Sequence, residues 1–270
     1  MIAPKCSSLS PKFSKTAVCE VVLERKTIVT LGSINRRFYA DHSSAFDRSR
    51  QHAWPGWKFI LEKDWGDDIS VLDVGCGNGR FLRALTASEL KVREYVGIDT
   101  SISLLDKTTI VAKELNLRRL ALYPIDLSLD KLELLPAGSF DLIVLFGLLH
   151  HIPSKDRHLR LLIALQKLLA PHGRFAFSIW NFASRSRFSK NMVSWGDLSR
   201  YGFPEIEIDD LDEGDFLLKW GINGLRYCHQ ATVNEIILWK KSLEAELVAH
   251  YSADGKEGDL NEYLIFERQE

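Results

Sequence analysis

From Gly66 onward, short apolar runs alternate with amphipathic segments along the chain. The apolar runs carry Val, Ile, Leu and Phe with few polar positions between them, which is typical of strands buried on both faces. They lie at Ser70–Val74, Tyr95–Ile98, Leu120–Tyr123, Phe140–Phe146 and Arg174–Trp180. The amphipathic segments predict helices at Gly79–Leu85, Ser101–Glu114 and Lys155–Leu169. This alternation predicts a parallel sheet covered by helices, with a ligand site at the carboxyl ends of the strands.

The chain before this alternation divides into two predicted parts. Residues 1–33 are Ser/Thr-rich at first and then β-branched, and they predict a poorly ordered tail, with an organelle transit peptide as the alternative. Residues 34–66 predict a helical cap, in which Pro55 suits the start of a helix.

The chain after Trp180 forms the predicted substrate side, residues 181–270. It begins with a polar and basic stretch, and the acidic segment 205–215 predicts a solvated loop. The elements predicted beyond that loop are a strand from Phe216, a helix over Val233–Lys241 and strands near Ala245–Tyr251 and Glu262–Glu267. With residues 67–180 as the core, these parts predict a single domain over residues 34–270.

Composition and charge narrow the function classes. The 270 residues carry 35 Lys and Arg against 36 Asp and Glu, and this net charge of −1 argues against a polybasic binder without excluding a local basic patch. The four cysteines form no CxxC pair, so the sequence predicts no metal site and no disulfide framework, and reduced thiols favour the cytoplasm, with the nucleus as an alternative. No apolar run approaches the roughly 20 residues that span a bilayer, so no membrane partner is expected.

The stretch Val71–Gly79 is the most informative, because an apolar strand runs into three glycines and then into a helix. Glycines let the backbone turn sharply and approach a ligand with no Cβ in the way. The spacing is GxGxG rather than the GxGxxG of dinucleotide binding, and Asp73 stands two residues before the first glycine. Asp99 ends the second strand, where a carboxylate can bond both hydroxyls of a ribose, and Asp126 follows the third strand.

This set of residues resembles the class I S-adenosylmethionine-dependent methyltransferases over roughly Val71–Trp180. The resemblance implies an α/β, Rossmann-like fold with a mostly parallel seven-stranded sheet and helices on both faces, and S-adenosyl-L-methionine as the cofactor. It also implies that the glycine loop cradles the methionine moiety with Asp73, that Asp99 holds the ribose, and that Asp126 bonds the adenine amine. The implied cofactor residues are Asp73, Gly75, Cys76, Gly77, Asn78, Gly79, Asp99, Thr100, Asp126, Leu127 and Phe146.

Several stretches outside the cofactor loop resemble one subfamily, the tRNA wobble-uridine carboxymethyl methyltransferases of the tRNA methyltransferase 9 type. They are Asn35–Tyr39, Phe46–Pro55, the His150-His151 pair, Gly214–Trp220 and Arg226–His229. Lys219 departs from the subfamily, which usually carries a proline there. The resemblance implies esterification of a 5-carboxymethyl group on the first anticodon base, with tRNA and a small zinc-binding activator as partners.

A carboxylate acceptor is already ionised at pH 7, so it needs cations that orient it rather than a base. Arg50 and Arg226 are the candidate clamp, because a guanidinium matches a carboxylate or a phosphate bidentately. His150 or His151, after the fourth strand, is expected to line the transfer channel. These four residues are the predicted catalytic set.

The predicted substrate-binding set combines aromatic and basic side chains. Its members are Trp54, Arg185, Arg187, Trp220, Tyr227 and His229. The aromatic rings could stack an extruded base, and the arginines could contact phosphate. The structural alternatives are core positions for the tryptophans, a solvated loop around Arg185, and a surface ion pair for Arg226.

Two other functions stay open at this point. A small-molecule O-methyltransferase acting on a carboxylic acid or a phenol would show an apolar pocket without flanking basic surface. A scaffold with a methyltransferase-like fold would bind no cofactor, which the intact glycine loop and its three acids disfavour.

Overall fold

The structure is a computed structural model that describes residues 23–48, 51–66, 68–129 and 131–270. Seven strands form the main sheet in the order β3-β2-β1-β4-β5-β10-β9. These strands are β1 (Ile69–Val74), β2 (Val92–Ile98), β3 (Leu120–Tyr123), β4 (Phe140–Leu145), β5 (Leu169–Trp180), β9 (Glu246–Ala253) and β10 (Asn261–Glu267). The first five run parallel, and β10 lies antiparallel between β5 and β9. The predicted mostly parallel, seven-stranded fold is confirmed.

Helices cover the sheet, and the apolar side chains beneath them form two large buried clusters. The helices are α1 (Arg25–Arg48), α2 (Lys58–Leu61), α3 (Arg80–Ala87), α4 (Ile102–Glu114), α5 (Lys155–Gln166), α6 (Ser186–Ser189) and α7 (Val233–Ser242). In the part of the chain that the structure describes, none of these helices has the length and apolar character that a bilayer crossing needs. Helix α5 ends three residues before its predicted end, because β5 begins at Leu169 rather than at Arg174.

Helix α1 begins at Arg25, well inside the stretch predicted as a poorly ordered tail. Ile28, Leu31, Ile34 and Phe38 recur every three or four residues and are buried, so they form the apolar stripe of an amphipathic helix. The predicted boundary at residue 33 is therefore wrong for the described part of the tail. Residues 1–22 lie outside the described residues.

A small antiparallel sheet packs against α1. Its strands are β6 (Met192–Val193), β7 (Asp215–Trp220) and β8 (Gly224–His229). Leu217, Leu225 and Tyr227 from this sheet share one buried cluster with Leu31 and Ile34 of α1. The packing places the hairpin β7–β8 beside the helix, and both elements line the cavity described below.

The acidic segment 205–215 is only partly the solvated loop that its composition predicts. Asp212 and Asp215 are buried. The Asp215 carboxylate accepts hydrogen bonds from the backbone N–H of Asp212 (3.0 Å) and from the Tyr227 hydroxyl (2.7 Å). It also lies 2.7 Å from Nδ1 of His229. The prediction is wrong for these two acids, because partners distant in sequence satisfy them.

Candidate active site

A cavity of about 590 Å³ opens at the carboxyl ends of the parallel strands. Residues at or just after the strand ends form its floor, among them Asp73, Asp99, Asp126 and Phe146. One face of α1 forms the opposite wall, with Gly32, Asn35, Arg36 and Tyr39. Trp220 and Arg226 from the hairpin β7–β8 and the turn at Asp254 close the remaining sides. The position agrees with the ligand site that the strand order predicts.

The glycine loop between β1 and α3 has the backbone geometry of a cradle. Gly75, Gly77 and Gly79 have φ of 84°, 55° and 75°, the left-handed region that favours glycine. An added Cβ at Gly77 would meet no protein atom within 4 Å, although Gly77 lines the cavity. At Gly75 it would lie 2.9 Å from the Leu148 side chain. The loop therefore presents bare backbone to a ligand.

Asp99, at the end of β2, holds this loop through a hydrogen bond. Its Oδ2 accepts a hydrogen bond from the backbone N–H of Gly77 at 3.0 Å, and its Oδ1 accepts one from Ser101 at 2.9 Å. Burial raises the pKa of Asp99, and the backbone hydrogen bonds oppose that rise. Each carboxylate oxygen keeps further acceptor capacity, so the group can also bond hydroxyls in the cavity.

Asp73 lies deeper than Asp99 and is almost fully buried. The Tyr95 hydroxyl donates a short hydrogen bond to its Oδ2. Burial raises the pKa of Asp73 to about 7, and the nearby Asp99 charge adds to the rise, while the Tyr95 hydrogen bond opposes it. Asp73 can therefore carry or release a proton near neutral pH.

Asp126 already has partners on both carboxylate oxygens. Oδ1 accepts hydrogen bonds from the backbone N–H and the hydroxyl of Ser128, at 2.9 and 2.5 Å. Oδ2 lies 2.8 Å from Nη1 of Arg36 on α1. Leu127 is buried beside them and lines the cavity. An adenine amine at this position would share the carboxylate with Arg36, a partner that the sequence did not reveal.

Four further predicted cofactor residues line the cavity, namely Cys76, Asn78, Thr100 and Phe146, whereas the predicted Gly79 does not line it. The Asn78 side chain donates to Asp47 on α1 at 2.7 Å. Burial raises the pKa of the Cys76 thiol well above its usual value, and the charge of Asp99 adds to the rise. The thiol is therefore neutral at physiological pH and serves as a packing group.

The histidine pair lies between the floor of the cavity and α1. His151 is buried, and its Nδ1 lies 3.1 Å from the backbone carbonyl of Tyr227. Its Nε2 lies 3.0 Å from the Tyr39 hydroxyl. A proton on Nδ1 would leave Nε2 to accept from Tyr39. His150 is half-buried, lines the cavity and packs against Trp180 at 4.9 Å between ring centroids.

Arg226 is a buried cation at the wall of this cavity. Its side chain belongs to a residue only 6% exposed, and its Nε makes no hydrogen bond. The guanidinium carbon lies 5.3 Å from the Phe38 ring centroid and 5.6 Å from that of Trp180. No carboxylate among the described residues lies within 4 Å of it. The predicted surface ion pair with the acidic loop is therefore absent from the described part of the chain.

The other predicted substrate residues separate into two groups. Trp54, Trp220 and Arg187 line the cavity, and Arg187 lies 4.4 Å from the Phe188 ring centroid. Arg185 does not line it and pairs instead with Asp259 at 2.7 Å. Arg50 lies outside the described residues.

Tyr227 and His229 do not fit the predicted contact with substrate. Both side chains are buried away from the cavity lining, and both bond the Asp215 carboxylate. Their alternation along β8 explains this, because Arg226 and Cys228 point to the opposite face of the hairpin. The sequence pattern did not mark Tyr39, Phe38 and Trp180 as individual site residues. The stretch Asn35–Tyr39, singled out for its resemblance, was the signal that could have found the first two.

The family model described as a methyltransferase domain matches residues 45–208 of this chain. The chain belongs to this methyltransferase family. A protein of Encephalitozoon cuniculi named as a methyltransferase is 24% identical over 196 residues, which cover 72% of this chain and 78% of that protein. The chain is therefore a methyltransferase, and its glycine loop and three acids fit the S-adenosylmethionine that the resemblance implies.

Two relatives of this methyltransferase carry names that refer to tRNA. The "tRNA (carboxymethyluridine(34)-5-O)-methyltransferase ALKBH8" of Mus musculus is 24% identical over 232 residues, 86% of this chain and 31% of that protein. The "Probable tRNA methyltransferase 9B" of Mus musculus is 25% identical over 161 residues, 58% of this chain and 32% of that protein. The chain thus spans about a third of the length of these two relatives.

Solved methyltransferases share the fold of this chain. The Burkholderia thailandensis 1,6-didemethyltoxoflavin-N1-methyltransferase superposes with a TM-score of 0.59 at 18% identity, covering 99% of this chain and 95% of its own. A Methanosarcina mazei S-adenosylmethionine-dependent methyltransferase superposes with a TM-score of 0.57 at 18% identity, covering 81% and 99%.

Proposed function

We propose that this methyltransferase esterifies a carboxylate, the carboxymethyl group of a modified wobble uridine in tRNA. The observation that carries the proposal is Arg226, a buried guanidinium at the cavity wall that no described carboxylate pairs with. Burying an unpaired charge is costly, so such a group is retained where a ligand supplies the opposite charge. The planar guanidinium suits a carboxylate bidentately.

The surroundings of Arg226 favour an acceptor that carries a flat ring. Phe38 and Trp180 flank the guanidinium, and Trp220 packs edge-on against Phe38 at 5.4 Å between ring centroids. Trp220 and Trp54 are only half-buried and line the cavity, so a nucleobase could stack on either ring. The two tRNA-modifying relatives support this class of acceptor.

Several described basic groups near the cavity already have acidic partners. Arg36 pairs with Asp126, Arg37 with Asp41, and Arg185 with Asp259. Arg187 lines the cavity, and Lys190, three residues later, is exposed. Lys219, which precedes Trp220, is exposed too. A small number of phosphate contacts predicts modest RNA affinity with a shallow salt dependence. A partner protein could add contacts, and we expect the small zinc-binding activator of the resembling subfamily in that role.

The residues of the cavity fit S-adenosylmethionine. The glycine loop offers bare backbone, Asp99 offers acceptors for ribose hydroxyls, and Leu127 offers an apolar surface for a base. Asp73, when ionised, would face the positively charged amino group of the methionine moiety. When bound, this cofactor supplies a methyl group on a positively charged sulfur.

The roles of the remaining site residues follow from their positions. Arg226 would orient the acceptor carboxylate without neutralising its nucleophilic oxygen by proton transfer, because a guanidinium does not titrate at physiological pH. His151 holds the Tyr39 hydroxyl at the cavity wall. Trp54 packs close to Gly147, and with His150 it narrows the space that water could occupy.

The test is transfer of labelled methyl from S-adenosylmethionine to total tRNA from cells that lack this gene, followed by nucleoside mass spectrometry. The reaction is run with and without a small zinc-binding activator, and with Arg226→Met as the matched variant. A methyl ester on 5-carboxymethyluridine, released as methanol by mild alkali, is the expected product. Transfer to small carboxylic acids or phenols and to no tRNA in either arm would replace the proposal by the small-molecule alternative.

A further inference from the structure

Three metal-ligating side chains meet behind the hairpin β7–β8, away from the cavity lining. They are His158 of α5, His229 of β8 and Glu235 of α7, and all three are buried. One ligand atom from each lies within 4.8 Å of the others. Helix α5 and the consecutive elements β8 and α7 thus bring two imidazoles and a carboxylate to one point.

The hydrogen bonds of His158 orient a bare nitrogen toward this point. Its Nε2 lies 2.6 Å from the backbone carbonyl of Ile152, so Nε2 carries the proton and donates it. Its Nδ1 is fully buried, makes no hydrogen bond and lies 3.6 Å from Oε1 of Glu235. With Nε2 as the donor, Nδ1 of His158 lies beside the Glu235 carboxylate and is placed to bind a cation.

His229 is held in the complementary way. Its Nδ1 lies 2.7 Å from Oδ1 of Asp215, and its Nε2 lies 3.0 and 3.2 Å from the two carboxylate oxygens of Glu235. Thr232 fixes Glu235 in turn, donating its backbone N–H to Oε2 at 2.9 Å. Histidine ligands of metals characteristically donate their second N–H to a carboxylate or a backbone carbonyl, as Asp215 and Ile152 are placed to accept here.

We propose that His158 Nδ1, His229 Nε2 and the Glu235 carboxylate bind a structural zinc ion. Two imidazoles and a carboxylate oxygen are ligands that zinc accepts, and a solvent oxygen would complete four donor atoms, as at other zinc sites with three protein ligands. His229 Nε2 and His158 Nδ1 lie 3.0 and 3.6 Å from Oε1 of Glu235, close to the roughly 3.3 Å between ligands bound at about 2.0–2.1 Å in a tetrahedral zinc site.

The charges of the cluster agree with a divalent cation. Asp215 and Glu235 place two carboxylates in the interior, and the neighbouring Asp212 has its own partner, Lys155, at 3.7 Å. Zinc with neutral imidazoles supplies two positive charges at one point. Without a metal, protons on both histidines would be needed to balance the two carboxylate charges.

The site would fix the substrate side of the enzyme rather than take part in the reaction. His229 lies three residues from Arg226 on the same strand, so a metal that joins β8 to α5 and α7 would hold the hairpin that carries Arg226 and Trp220. This inference does not depend on the identity of the methyl acceptor.

The test begins with the full-length protein produced in zinc-supplemented medium and its metal content measured by plasma mass spectrometry. About one zinc per chain is expected, and its removal with a strong chelator should lower the thermal unfolding midpoint. Refolding with Co²⁺ should give the intense visible bands of four-coordinate cobalt bound by nitrogen and oxygen.

Variants assign the metal to the cluster. His158→Gln should lose the zinc, whereas His250→Gln, which changes an exposed histidine on β9, should keep it. If His158→Gln does not fold, the wild-type measurements still decide. Folded wild-type protein that stays free of zinc after refolding with it, or cobalt with only weak six-coordinate bands, would overturn the proposal in favour of two protonated histidines.

Discussion

Arg36 Nη1 lies 2.8 Å from Asp126 Oδ2, and this ion pair joins α1 to the loop that follows β3. Near the C-terminal end of α1, Asp47 pairs with Lys107 of α4 and accepts a hydrogen bond from Asn78 of the glycine loop. Gly32, Asn35, Arg36 and Tyr39 of α1 line the cavity. Helix α1 therefore lies over the cofactor site and is attached there at its middle and near its C-terminal end.

The two ion pairs that attach α1 to the cofactor site predict the kinetics of cofactor binding. Arg36→Met combined with Lys107→Met should speed both association and dissociation of S-adenosylmethionine, by up to about tenfold, because half-exposed ion pairs contribute roughly 0.2–1 kcal/mol each. Stopped-flow tryptophan fluorescence measures both rates. Arg83→Met is the control, since it removes an ion pair with Glu114 outside the cavity. Unchanged rates in the double variant would mean that ligands reach the site without moving α1.

Asp99 should be essential for cofactor binding. Asp99→Ala removes the acceptor for the ribose hydroxyls at the end of β2. It also removes the partner of the Gly77 backbone N–H, so the glycine loop is no longer held in place. We expect a loss of affinity of at least 100-fold by calorimetry, since hydrogen bonds to a charged group contribute about 1.5–3 kcal/mol each. Asp106→Ala, an exposed acid on α4, is the control. Wild-type affinity in Asp99→Ala would refute the ribose assignment.

Cofactor affinity should depend on pH through Asp73, whose pKa burial raises to about 7. The ionised form suits a positively charged amino group, so affinity should rise by about tenfold from pH 6 to pH 8, as proton linkage requires. Asp73→Asn should bind more weakly and lose this dependence, which calorimetry at each pH would detect.

The raised pKa of Asp73 also determines the direction in which the stability of the fold changes with pH. The folded state holds the Asp73 proton up to about pH 7, whereas the unfolded chain releases it near 3.8. Stability should therefore fall as pH rises between these values, and ionised Asp73 should destabilise the fold above them. Relative to wild type, Asp73→Asn should gain stability from pH 5 to pH 8 in urea unfolding. An equal difference in unfolding free energy between Asp73→Asn and wild type at pH 5 and pH 8 would contradict the raised pKa.

The parts of the site that the sequence predicted are those fixed by local chemistry. The strand, the three glycines and Asp73 lie within nine consecutive residues, so turn geometry and ligand approach can be inferred from spacing alone. The Arg36–Asp126 pair joins residues 90 positions apart, and no local pattern marks it. Asp215 was equally hidden, because an acid in an acidic segment is normally solvated. Only the folded hairpin brings Tyr227 and His229 to it.

Replacing Arg226 should lower methyl transfer without lowering the stability of the fold. Arg226→Met replaces a buried cation that no described carboxylate pairs with by an apolar side chain, so the free energy of unfolding should stay constant or rise by about 1 kcal/mol. Methyl transfer should fall by two orders of magnitude or more, while cofactor affinity stays at the wild-type value. Urea unfolding and calorimetry separate the effects, and Arg226→Lys keeps the charge as the comparison. A destabilisation of about 3–5 kcal/mol would instead indicate a structural ion pair.

Tyr227 should behave as a structural residue although the sequence motif suggested contact with a base. Its hydroxyl donates to Oδ1 of Asp215 at 2.7 Å inside the protein. Tyr227→Phe keeps the ring and leaves one acceptor of a buried carboxylate with fewer donors, so unfolding should become easier by about 1–3 kcal/mol. Tyr123→Phe, on an exposed tyrosine of β3, should leave stability unchanged. A Tyr227→Phe protein of wild-type stability that had lost RNA affinity would restore the substrate role, because only a solvent-facing hydroxyl could act that way.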